Sequence, residues 1–215
     1  MTFADLFDAA AGYETDSDSI RAALAERRST PPSGDDDEDA TDEPSPVDRE
    51  PSPARVVADA DVLAADLLVG GPAREALDTL RSHSWTTLVA TDPLLDDAEA
   101  VIAAVAAPSL AADWREAVEA WREPASQPVG DHPALASAYH GAAMQVVSLD
   151  PSLTGAQAAA GLRDRLAVSV REPRAFATVF SPAKLYPTAV GGEYPGPDRD
   201  PRSMAPVDTG GDQHR

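Results

Sequence analysis

From Arg55 to Leu63 the chain reads RVVADADVL, an apolar run broken only by two aspartates spaced two apart. Its first part, residues 55–58, has the β-branched character of a buried strand. Apolar positions then recur at helical spacing through Val62, Leu63, Leu67 and Leu68 until Gly70-Gly71 stops them. Pro72 is placed to open a second helix that turns Ala76, Leu77 and Leu80 inward. Residues 85–90 predict a second strand, and Thr91 or Asp92 caps a helix with Leu95, Ala98, Val101, Ile102 and Val105 on one face. Ser109 opens a further helix in which Trp114, Val118 and Trp121 share a face, a core-packing pattern. Residues 124–130 read as a loop, and Asp131 starts a helix carrying Leu135, Ala136, Ala138 and Tyr139. A third strand over 145–149 closes on Asp150; a helix over 154–162, a fourth strand over 167–170 and a last helix over 173–180 follow. Strands alternating with helices predict an α/β chain of three layers, α/β/α, around a mostly parallel central sheet.

The ends of the chain read differently. Thr2 and Asp5 form the pattern of a capping box, with Phe3, Leu6 and Phe7 on one face, and a second amphipathic pattern covers 19–28. Isolated helices shorter than about 12–15 residues are marginal in water, so these two dock on the domain or on a partner. Between 29 and 53 the residues are proline, serine and a block of acids, which predicts a disordered acidic linker that serves mainly to solvate. The expected organisation is a short helical segment (1–28), the linker (29–53), one folded domain (54–186) and an irregular tail (187–215).

Charge narrows the setting. The net charge is -20, the isoelectric point is near 4.3, and Lys184 is the only lysine. A strongly anionic surface suits a protein of concentrated salt, where self-repulsion is screened. There are no cysteines, which excludes disulfides, thiolate metal sites and cysteine nucleophiles. No run approaches the ~18–20 apolar residues that cross a bilayer, and the first residues lack a secretory signal, so a cytoplasmic protein is expected. Gly70-Gly71-Pro72 lacks the lysine and serine of a P-loop, and no GxSxG elbow or HExxH spacing occurs. His83, His132 and His140 lie apart and read as surface or helix-start residues.

Four acids stand out: Asp59, Asp97, Asp131 and Asp150. Asp59 and Asp150 each close an apolar run, where a parallel strand delivers its last side chain to the carboxyl edge of the sheet, the edge at which open α/β sheets bind ligands. Converging carboxylates repel one another unless a cation neutralises them, and their oxygens suit Mg²⁺ or Mn²⁺. Such a site can activate water against a phosphodiester without cysteine or histidine. Read singly, Asp97 is equally a solvated helix residue and Asp131 a helix cap.

The order RVVADADVL, LLDDAEAVI, DHPALASAY and VVSLDPSL resembles the PIN-domain family, over about residues 55–180. The resemblance implies a nuclease fold in which Asp59, Asp97, Asp131 and Asp150 are catalytic metal ligands, with Asp61 and Ser148 supporting them. Asp96 and Glu99 are register alternatives to Asp97. Two positions depart from the family pattern: Ser148 stands where threonine is frequent, and Asp97 where glutamate is usual, shortening that ligand by one methylene. The implied activity is Mg²⁺- or Mn²⁺-dependent hydrolysis of RNA; the implied partners are an antitoxin or other protein and a second copy in a homodimer. The alternative is a PIN-like binding or scaffold protein without catalysis. An RNA substrate calls for basic contacts to phosphate, for which Arg55, Arg74, Arg81, Arg163, Arg165, Arg171 and Arg174 are the candidates.

Overall fold

The computed structural model of the chain describes residues 1–29, 49–128, 132–155 and 168–207. Its strands are β1 (Ser52–Ala58), β2 (Thr87–Ala90), β3 (Glu123–Pro124), β4 (Ala143–Val147) and β5 (Ser169–Arg171). They form one sheet in the order β3-β2-β1-β4-β5, and every neighbouring pair is parallel. The chain winds outward from β1 through β2 to β3, then returns to the other side of β1 and continues through β4 to β5. The winding direction therefore reverses between β1 and β4, and this switch point fixes where a ligand crevice can open.

The helices are α1 (Phe3–Ala10), α2 (Ser17–Ser29), α3 (Ala60–Leu68), α4 (Gly71–Arg81), α5 (Asp92–Val105), α6 (Pro108–Glu119), α7 (Pro133–His140), α8 (Pro151–Thr154), α9 (Pro173–Val179) and α10 (Pro182–Ala189). Helices flank the sheet: α3 packs on α4 and α5, α5 on α6, and α7 on β1, β2 and β4. All nine residues of α3 are buried, because α3 packs against α1, α2, α4 and α5. This explains why the sequence after Asp59 is apolar almost all round rather than on one stripe.

Both N-terminal helices dock on their own domain. Thr2 and Asp5 make the expected capping box, and Phe3, Leu6, Phe7 and Ala10 join the central hydrophobic cluster. Burying a Phe or Leu stabilises by about 1.5–3 kcal/mol, so α1 belongs to the core in energetic terms as well. Beneath it lies Arg81, fully buried, with a fork to Asp66 (2.7 and 2.9 Å) and a third contact to Asp78 at 2.7 Å. The rings of Phe3, Phe7 and Trp121 surround its guanidinium at 4.6–5.3 Å.

The C-terminal part differs from expectation. A helix, α10, occupies the stretch after residue 180, and the irregular residues described beyond it, though largely exposed, are tied to the domain by hydrogen bonds. Asp198 and Arg199 donate their N–H groups to Ser82 O (3.0 and 3.2 Å), and Ala4 N donates to Arg202 O at 2.9 Å. Tyr194 Oη pairs with His83 Nε2 at 2.6 Å. The tail thus satisfies a carbonyl left over at the end of α4, a partner that no periodicity announces. In the expected loop, Glu123 and Pro124 form the two-residue β3, too short to leave an alternating pattern. A one-turn helix, Pro151–Thr154, comes before the stretch where a helix over 154–162 is expected; residues 156–167 lie outside the described residues, as do linker residues 30–48. Among the described residues no helix is long and apolar enough to cross a membrane.

Candidate functional site

Asp59 follows β1 and caps α3. Its backbone is extended, its N–H donates to Val147 O at 2.8 Å, and its Oδ1 accepts from Ala60 N at 2.8 Å. The side chain is wholly buried. Ser148, the residue after β4, donates Oγ–H to Asp59 Oδ2 at 2.9 Å while accepting from Asp150 N at 3.0 Å. Asp150 caps α8 by accepting from Ser152 N at 2.7 Å. Asp59 and Asp150 therefore sit where the sequence puts them, at the carboxyl ends of the two strands that flank the switch point.

Asp61 lies in the first turn of α3, 1 % exposed, with Oδ2 accepting from Leu149 N at 3.1 Å and Oδ1 buried without a partner. Burial, and then the neighbouring charge of Asp59, push its pKa up to about 8. Asp97 joins from α5. It accepts from Arg28 Nε at 2.9 Å and from Arg27 Nε at 3.4 Å. Asp96 and Glu99 instead pair with Arg115, so Asp97 is the α5 acid on the side of the pocket. Asp131 lies outside the described residues.

Two further residues enter the site that acid spacing does not indicate. Arg28, in the last turn of α2, places Nη2 on Asp59 Oδ1 at 3.0 Å, Nε on Asp97, and Nη1 at 3.1 Å from His132 Nε2. Burial disfavours its charge, but Asp59 and Asp97 outweigh this and raise its pKa above the ordinary arginine value. His132 stands at the start of α7 as its cap. Burial, the leading cause, lowers its pKa and favours the neutral ring, which has a single acceptor nitrogen to offer, either Nε2 toward Arg28 or Nδ1 toward Ala134 N. The only advance signal was the basic doublet Arg27-Arg28 at the end of a helix in a strongly acidic chain. Between α2 and the acids a cavity of about 240 Å³ remains, bounded by Leu24, Ala25 and Arg28 on one side and Asp61, Asp150 and Pro151 on the other.

Among the described residues, the candidate arginines Arg55, Arg74, Arg81 and Arg171 are each engaged within the domain. Arg55 forks onto Glu123 and donates to Gly141 O, Arg74 and Arg81 serve Asp66, and Arg171 reaches Gln145. Arg163 and Arg165 lie outside the described residues.

Hard carboxylate oxygens at a switch point are the donors that Mg²⁺ and Mn²⁺ prefer. As arranged, however, Asp59 and Asp97 close on a guanidinium, and among the described residues no three acidic or histidine side chains are grouped to hold one metal ion. No curated protein and no solved structure matches the chain. Residues 50–202, which span the sheet and every acid discussed above, match a family described only as of unknown function, and the chain belongs to that family, DUF7384.

Proposed function

We propose that the chain is a divalent-metal-dependent ribonuclease of PIN-like type, with Asp59, Asp97, Asp131 and Asp150 as the ligands of Mg²⁺ or Mn²⁺. The observation that carries this reading is the meeting of Asp59 and Asp97 on one half-buried cation beside the switch point between β1 and β4. A buried carboxylate must be matched by a positive charge, and the pocket is built to hold one. When bound, the metal would polarise a phosphodiester and activate water. The chain's own residues hold the acids in position. Ala60 N–H and Ser148 Oγ–H fix the Asp59 carboxylate, and Asp61 fixes the backbone of Leu149 just before Asp150. RNA as the substrate follows from the resemblance in motif order.

A second reading, a PIN-like binding or scaffold protein acting through an antitoxin or another partner, is favoured by one observation: Arg55, Arg81 and Arg171 are each taken up by a partner within the domain. Calorimetric Mn²⁺ titration in molar KCl separates the two. The ribonuclease reading expects saturable binding that is lost in Asp59→Asn with Asp150→Asn, together with Mn²⁺-dependent cleavage of a mixed RNA by the native acids. Binding that survives both substitutions would overturn the site.

A further inference from the structure

α2 is a mostly polar helix held by little apolar surface: of its thirteen residues only Ile20 and Leu24 are buried. Its strongest directional contacts are those of its last turn. The three nitrogens of the Arg28 guanidinium each take a different partner, Asp59, Asp97 and His132. Asp59 is fully buried beside the unpartnered Oδ1 of Asp61, so its carboxylate loses the Arg28 charge that faces it when α2 withdraws. Arg28 and a divalent ion would present like charges to the same two carboxylates within a few ångströms, which makes them alternatives rather than neighbours.

We propose that α2 is a built-in plug of the acid pocket: Arg28 competes with the divalent cation for Asp59 and Asp97, and the ion enters as the last turn of α2 withdraws. The inference rests on the metal-site reading above and adds its regulation. Competition is reciprocal. The factor by which docked α2 weakens ion binding is the factor by which the ion weakens α2 docking.

The test is Mn²⁺ titration of the full chain as wild type, Arg28→Gln and Leu24→Ser, with hydrogen exchange followed along α2. Arg28→Gln removes the competing charge; Leu24→Ser keeps the charge but loosens the helix. Both are expected to bind Mn²⁺ at least tenfold more tightly than wild type, and saturating Mn²⁺ is expected to speed exchange in the last turn of wild-type α2. Equal affinity in all three proteins would overturn the plug while leaving the metal site standing. Absence of binding in all three would overturn both. If Arg28→Gln does not fold, as judged by circular dichroism, Leu24→Ser and the wild-type exchange decide the matter. Unchanged affinity there, with α2 still protected at saturating Mn²⁺, would overturn the plug.

Discussion

Ser148 Oγ donates to Asp59 Oδ2 across 2.9 Å, joining the residue that ends β1's run to the residue that follows β4. The same hydroxyl accepts from Asp150 N, so one small side chain sets two of the site's acids relative to each other. Ser148→Ala leaves a buried carboxylate oxygen and an N–H without this partner. A loss of about 1–3 kcal/mol in stability is expected, read as a lower midpoint in urea denaturation. Any Mn²⁺ affinity should fall as well, because Asp59 is then free to turn.

Asp61 should make stability fall as pH rises. An unfolded aspartate releases its proton near 3.8, whereas burial and Asp59 hold the folded group protonated up to about 8. Below pH 4 both states carry the proton. Between these values the unfolded state alone has released it, and the folded state loses ground steadily. Asp61→Asn removes this dependence. It is expected to stabilise the protein on the order of 1–3 kcal/mol at pH 8 and to have little effect at pH 4. Thermal melts across that window test it, and a variant less stable than wild type at pH 8 would refute the assignment.

Arg81 is a buried cation whose removal takes from the buried Asp66 its bidentate partner and leaves it only Arg74, at 3.4 Å. Arg81→Ala should cost about 3–5 kcal/mol. Pairing Arg81→Met with Asp66→Asn should recover part of that loss, because the most deeply buried charge pair goes together while the more exposed Asp78 and Arg74 remain. Double-mutant cycles by chemical denaturation measure the difference.

Gly141 closes α7 where the chain turns into β4. A Cβ there would lie 2.1 Å from Val89 Cγ1 and 2.6 Å from Ser137 O, while Arg55 Nε donates to the Gly141 carbonyl at 2.6 Å. Gly141→Ala must shift the helix end or the β2 side chain, at about 1–3 kcal/mol. Thermal unfolding should show the loss, with Gly12→Ala, where nothing lies within 4 Å, as the tolerant comparison.

The alternation of β-branched runs and helical spacing made the parallel sheet legible, because each buried strand and each amphipathic helix writes its period locally. The ends of β1 and β4 were legible for the same reason, and they put Asp59, Asp61, Ser148 and Asp150 in one place. Asp97 needed the third dimension: only its contact with Arg28 separates it from Asp96 and Glu99. Arg28 itself was not legible. It reaches Asp59 across 31 positions and His132 across 104, and no spacing rule links a helix end to a strand end over such separations. The hydrogen-bonded tail escaped for a related reason, since Asp198 and Arg199 are ordered by one carbonyl at Ser82 rather than by a period of their own.

The two-residue β3 has a consequence for how copies of this chain can meet. Sheet edges recruit other sheets through their free N–H and C=O groups, and β3 ends in Pro124, which has no N–H to offer. The edge is too short and too poor in donors to template a continuous intermolecular sheet. A concentrated solution of this protein is thereby protected from strand-by-strand aggregation at that side, and a homodimer has to be built from helices or from the opposite edge.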